Sequence, residues 1–321
     1  MKTKTLYILL VVFAAVCAVL GAMPGIAEEA FTSVIAFPLE QTALILRWLS
    51  LSGSAGNTAA IVIYVIVCLL PAAVMLFWMR KHGFHGEDSL IFILSAVLFA
   101  VVYFMINPAL LMESYGADFG VVLRAILGGV CWSIVISWAV LRLLRRSAEA
   151  ERGQVQRNLR VVLILLAFVF TAVAFGGGVS GFVDSAEALK AGNTAQWVDL
   201  STSYIFLALQ ALVNALPYVL DAVVAVKGAR LLGAMDLDRY SAETVEQAEK
   251  LSSFSVLSLR VTVIVSLLFN LLQLVSIKRL YVVNMSVTLP LVSIAFMLAV
   301  VLLSRLVREN KALKDDNDLF I

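Results

Sequence analysis

The stretch STSYIFLALQALVNALPYVLDAVVAVKGAR runs from Ser201 to Arg230, and its first basic side chain is Lys227. Before that point it carries a single acid, Asp221. A bilayer core is crossed by about 20 mostly apolar residues, so residues 201–226 read as a membrane-spanning helix. Seven more stretches satisfy the same criterion: 5–22, 57–79, 89–112, 119–141, 160–183, 254–276 and 284–306. The composition agrees. The 321 residues are 62% hydrophobic and 14% charged, against about 45–50% and about 25% in an ordinary soluble domain. So few charges do not cover a soluble fold of this size, whereas lipid covers a polytopic one. The expected fold is an all-α polytopic integral membrane helical bundle of eight spans.

Lysine and arginine set the expected orientation. With the N-terminus in the cytoplasm, residues 1–4, 80–88, 142–160, 227–253 and 307–321, with Arg305 at the membrane exit, face inward. They hold 18 of the 24 Lys and Arg. The outer pieces hold Arg47, Lys190, Lys278 and Arg279, and Arg124 and Arg260 lie inside helices. Both termini are therefore expected in the cytoplasm of a bacterial inner-membrane protein. A net charge of +2 gives no basic face for nucleic acid. The first apolar run also has signal-peptide features: "MKTK" as n-region and a small-residue site after Ala27. It is long for an h-region, and retention as a helix is the expectation. Segment 28–52, divided by Pro38, reads as short helices lying on the outer surface with Trp48 at headgroup level, or packed across the bundle top.

The chain reads as two copies of a four-helix unit. Helix two carries Leu70-Pro71 and helix six carries Leu216-Pro217, each followed by an apolar run and a basic exit. An even number of spans makes the copies parallel. The expected divisions are 1–146 for the first repeat, 147–159 for a basic cytoplasmic linker, 160–314 for the second repeat and 315–321 for a tail. Within the 227–253 loop, Ser241 reads as an N-cap and Glu243 as a first-turn acid. A helix from about 242 then runs into helix seven.

Ionisable residues at depth need partners. Asp221 and Arg260 both fall about 9 Å from the inner boundary at 1.5 Å per residue. An ion pair is expected, serving either as a coupling site in a transport path or as a structural tie. Arg260 snorkelling to the cytoplasm is the alternative. Gln210 and Asn214, with Asn270 and Gln273, form the rest of the candidate polar network. An Asn214–Asn270 hydrogen bond would contribute about 0.6–2 kcal/mol. Arg124 has Glu113 or Asp118 within reach. Ala125, Gly129, Ser133 and Ser137 permit close helix approach, and Gly176 to Gly178 mark a hinge. His82, His85, Glu87 and Asp88 read as a solvated turn, because two histidines alone do not make a metal site. Cys17, Cys68 and Cys131 fall in apolar runs and read as small core or lipid-facing residues. There is no P-loop, H-E-x-x-H or G-x-S-x-G, and no paired acid or nucleophile–base set at depth. No enzyme activity and no cofactor are expected.

Helix eight continues through Arg305, Arg308, Lys311 and Lys314 into "KDDNDLFI". Asp and Asn are poor helix-interior residues and acids oppose the dipole there, so the helix is expected to stop near Lys314. Asp315, Asp316 and Asp318 then meet the arginines of 142–160 while Leu319, Phe320 and Ile321 fill a groove, or the end frays. This tail resembles that of an uncharacterised bacterial family of four-helix membrane proteins, a domain of unknown function closing in a Glu-Asn-Asp-Leu-Thr-Ile-like sequence. Asp316, Asn317, Asp318, Leu319, Phe320 and Ile321 stand at those places, with Phe320 where the family has threonine. "DRYSAETVEQAEKL" is similar to the family's start of its third helix. The resemblance covers about residues 160–321, and "GFHGEDSL" occupies the matching place in the first half. It implies a doubled member, no enzyme activity and, because such genes often adjoin a helix-turn-helix regulator, a regulatory role. Two functional expectations follow. One is a non-enzymatic scaffold or regulatory partner that meets a membrane or cytoplasmic protein through its loops and tail. The other is a secondary transporter or channel for a small solute, using the Asp221/Arg260 region.

Overall fold

The computed structural model describes residues 3–23, 32–110, 119–149, 152–193, 200–238, 241–276 and 290–318. Among them there is no strand. The helices are α1 (Thr3–Gly21), α2 (Leu39–Ser50), α3 (Ser54–His82), α4 (Ser89–Ile106), α5 (Phe119–Glu149), α6 (Arg152–Thr171), α7 (Gly178–Gly192), α8 (Ser201–Leu237), α9 (Ala242–Ser276) and α10 (Leu291–Asp318). A short 3-10 turn, Gly86–Asp88, precedes α4, and a π-helical segment, Ala172–Gly177, joins α6 to α7. Among the described residues, eight helical stretches are long and apolar enough to cross a membrane. The protein is an all-α, multi-pass membrane bundle, as its composition requires.

The packing divides the chain differently from the expected 1–146 and 160–314. One unit is Glu28–Ala150, and the other joins Met1–Ala27 to Glu151–Ile321. Three of the spans belong to the first unit and five to the second. The first span packs against α6, α7 and the π segment between them. A Cβ on Gly21 would come 2.5 Å from the Gly176 carbonyl oxygen, so only glycine lets α1 approach this closely. The described residues of the expected linker 147–159 are helical: α5 runs to Glu149 and α6 begins at Arg152.

In the 28–150 unit, α3, α4 and α5 pack around a core of Cys68, Leu94, Leu98, Val101, Val102 and Cys131. The cysteines are free thiols, and Cys68 and Cys131 are buried. Pro71 lies inside the continuous α3, and the N–H of the next residue, Ala72, donates to Ser95 Oγ of α4 at 2.9 Å. In lipid such a backbone group has no water to turn to. The amphipathic α2 buries Ala43 and Leu46 and leaves Leu44, Ile45 and Trp48 exposed. It therefore packs on α3 and α4 while showing an apolar side outward. On α5 the close approach is made by Gly128, where an added Cβ would lie 2.4 Å from the Ile35 carbonyl oxygen. At the expected contact residue, Gly129, an added Cβ would meet only Ile35 Cγ2, at 4.0 Å.

The second unit is organised along α8. At 1.5 Å per residue the 37 residues of α8 and the 35 of α9 measure about 55 and 52 Å, against a hydrocarbon core of ~30 Å. Both continue beyond it as a helical hairpin. Leu231, Leu232 and Met235 of α8 are buried in one core with Ala248 and Leu251 of α9, Leu163 of α6, and Val300 and Val307 of α10. The hairpin turn carries the expected cap. Ser241 Oγ accepts the Thr244 N–H at 3.2 Å, and Thr244 Oγ1 donates to the Asp238 carbonyl at 2.7 Å. Helix α10 runs to Asp318 rather than stopping at Lys314. Extending an existing helix adds one bond per residue fixed, and Asp and Asn oppose it by only about 0.7 kcal/mol each. Lys311 and Lys314 also stand four residues before Asp315 and Asp318, a spacing that favours opposite charges.

The Gly128 contact predicts a graded outcome. Gly128→Ala is expected to lower stability by about 1–3 kcal/mol through overpacking, and Gly129→Ala by less than about 0.5 kcal/mol. Detergent-induced unfolding followed by tryptophan fluorescence measures both, and equal losses would contradict the close approach.

Candidate intramembrane polar site

Two ring contacts fix the register of α8 against α9. Lys227 Nζ lies 4.7 Å from the centre of the Phe254 ring, and Phe206 stacks on Phe269 at 5.1 Å. Six residues back from Lys227 and six on from Phe254 lead from Asp221 to Arg260. Fifteen on from Phe206 and fifteen back from Phe269 lead from Asp221 to Phe254. Asp221 is therefore level with residues 254–260 of α9. Arg260 stands at one end of that range, and the expected ion pair does not form. Asp221 is fully buried, and neither carboxylate oxygen has a hydrogen-bond partner. Arg260 is exposed. At 3.6 residues per turn it lies about 200° around α9 from Ser258, which is on the buried side.

The buried side of α9 is a line of small hydroxyls: Ser255, Ser258, Thr262 and Ser266. It faces α8 and α10, the helices against which α9 packs. Ser255 Oγ, Ser258 Oγ and Thr262 Oγ1 have no hydrogen-bond partner. In a helix such hydroxyls commonly donate to the carbonyl four residues back. Thr171 does so to Ala167 at 2.7 Å, and Ser304 to Val300 at 2.8 Å. From α10, the Ser293 side chain lies beside the Asp221 carboxylate, outside hydrogen-bonding geometry and equally without a partner. A buried carboxylate and four buried hydroxyls are thus left unsatisfied within one three-helix junction. Each buried unsatisfied group costs about 1–3 kcal/mol, more if charged.

A cleft of about 580 Å³ opens on the same unit between the π segment with α7 and α8. Gly177, Gly178 and Ser185 line one wall, and Gln210, Asn214 and Tyr218 line the other. A Cβ at Gly177 would meet nothing within 4 Å. The expected hinge at 176–178 is the end of a π-helical segment and the start of α7, and such segments are frequent at functional sites. Gln210, Asn214, Tyr218 and Asp221 lie within about 80° of one another around α8, so one stripe runs from the cleft to the buried carboxylate. Asn214 turns to the cleft rather than to Asn270. The register places it level with residues 261–267, and Asn270 Oδ1 has no partner. Gln273 is buried on α9.

The 28–150 unit holds the opposite case. Asp88, expected in a solvated turn, is buried. Its Oδ2 accepts the His85 N–H at 3.1 Å, and its Oδ1 accepts from Arg142 Nη1 at 3.2 Å and Trp138 Nε1 at 3.3 Å. The Arg142 guanidinium also lies 5.2 Å from each of the Trp78 and Trp138 ring centres. Arg145 Nε approaches Glu87 Oε1 at 2.8 Å, an ion pair whose N–H is not aimed along the contact. Sequence reading missed this cluster; the signal was Trp138 and Arg142 one turn apart beside a basic exit. Arg124, expected to reach Glu113 or Asp118, pairs with Glu40 at 2.6 Å; Glu113 and Asp118 lie outside the described residues. So do the side chains of Asp315, Asp316 and Asp318, and the whole of Leu319, Phe320 and Ile321, on which the tail-docking expectation falls.

No family model matches the chain, and neither the curated proteins nor the solved structures include a match. The functional reading therefore rests on the residues themselves.

Removing one partner of a buried, paired charge typically costs about 3–5 kcal/mol, and Asp88→Ala is expected to fall in that range. Arg260→Gln is expected to change stability by less than about 0.5 kcal/mol. The same unfolding measurement checks both, and a large loss in Arg260→Gln would restore the ion pair.

Proposed function

We propose that the protein is a secondary transporter or channel for a small polar solute, with the path in its 151–321 unit. The observation that carries this reading is the stripe Gln210–Asn214–Tyr218–Asp221, which leads from an open cleft to a fully buried carboxylate without a hydrogen-bond partner. An intramembrane ionisable residue is by default a functional one. A binding site near mid-bilayer beside irregular helix is a recurrent transporter design, and here the π segment and Pro217 of α8 supply the irregularity. The cleft is open while the carboxylate below it is closed off, which is the arrangement of a path with one end shut.

The same reading places the protein in a bacterial inner membrane with both termini cytoplasmic. The support is the distribution of Lys and Arg: Lys227 and Arg230 stand at one end of the unit, and Lys4 and Arg160 belong to the same basic end. The regulatory-scaffold alternative rests on the long 227–253 loop, the tail at 315–321 and the resemblance to the four-helix family. The transport reading has described residues behind it.

The test uses proteoliposomes of the full chain and a panel of radiolabelled amines, amino acids and sugars. At least one solute is expected to be taken up. Gly181→Leu, which fills cleft space that a Cβ finds empty, and Asn214→Leu are each expected to cut uptake roughly tenfold or more with helical content unchanged by circular dichroism. Uptake of no panel member, or uptake indifferent to both variants, would contradict the proposal.

A further inference from the structure

The unsatisfied hydroxyl and carboxylate oxygens of α8, α9 and α10 have a common chemical character. They are one carboxylate, three hydroxyls of α9 and one hydroxyl of α10, with no nitrogen donor among them. The register sets Ser255 and Ser258 level with Asp221, and the burial of both places them on the inner side of α9. Nearby cations are directed elsewhere: Arg260 is exposed, and Lys227 lies over the Phe254 ring. Hard cations take oxygen ligands, and multiply charged ones usually several carboxylates. Among the described residues no group of three His, Cys, Asp or Glu gathers in one place, which disfavours a divalent ion. One carboxylate balances one positive charge, and at low dielectric an unbalanced charge is costly.

We infer that Asp221, Ser255, Ser258 and Ser293 form a binding site for a single monovalent cation of sodium type. The cation is held by the carboxylate and completed by hydroxyl oxygens at the junction of α8, α9 and α10. Thr262, one turn beyond Ser258, is the next oxygen on the same line toward the cleft. The site deepens the transport reading, since a cation bound below the cleft is placed to couple to a solute held by Gln210 and Asn214. It rests on that reading only for its role, not for its existence.

The experiment is binding of radiolabelled Na⁺ to the full-length protein in detergent, at constant ionic strength set with choline chloride. Saturable binding is expected, outcompeted by unlabelled Na⁺ and not by choline. Asp221→Asn is expected to abolish it, and the double variant Ser258→Ala/Ser293→Ala to weaken it roughly tenfold or more. The double variant removes only two hydroxyls and is the safeguard if Asp221→Asn fails to fold. Absence of saturable Na⁺ binding by the wild type would overturn the site and leave the carboxylate to a proton. Binding unchanged in the double variant would overturn it equally. Na⁺ binding without solute uptake would sink the transport reading alone, whereas uptake without Na⁺ binding would sink the cation site alone.

Discussion

Lipid supplies no hydrogen bonds, so every polar group at depth is satisfied by the protein or left with a cost. Two buried carboxylates show the two outcomes. Asp88 receives three donors, from His85, Trp138 and Arg142, and ties the 3-10 turn and α4 to α5. Asp221 receives none. The first arrangement holds helices together. The second leaves an unmet demand inside a packed junction, and the functional account follows from that difference.

The surrounding structure makes the junction persistent. Helix α8 packs along α6 on one side and α9 on another, and its hairpin with α9 is buried against α10 and Leu163. Phe296 of α10 packs on Phe170 of α6 at 5.3 Å. An apolar frame thus encloses a small polar interior. The cleft has the reverse character. Glycines leave it roomy, and the π segment contributes Val173 and Gly177 to its lining.

The spans were legible in the sequence because about 20 apolar residues without charges have few other readings. The Ser241 cap was legible because capping is local in sequence. The approximate depth of Asp221 and Arg260 was legible from rise per residue, but their failure to pair was not. Depth says nothing about direction around a helix, and the line Ser255–Ser258–Thr262–Ser266 was the clue that the inner side of α9 was already taken. The Asp88 cluster was hidden because its donors come from a helix 50 residues away. The allotment of α1 to the 151–321 unit was hidden for a similar reason: connectivity suggested four and four, and a glycine-to-glycine approach between Gly21 and Gly176 decided otherwise. The helical course of α10 to Asp318 shows that weak residue preferences do not stop a helix already under way.

The central claim is that Asp221 points into the junction of α8, α9 and α10 rather than toward Arg260. Disulfide trapping in the full chain, with Cys17, Cys68 and Cys131 replaced by alanine, tests it most directly. Under mild oxidation in native membranes, Asp221→Cys is predicted to cross-link with Ser293→Cys and to remain free with Arg260→Cys. Efficient cross-linking of 221 to 260, with none to 293, would contradict the account.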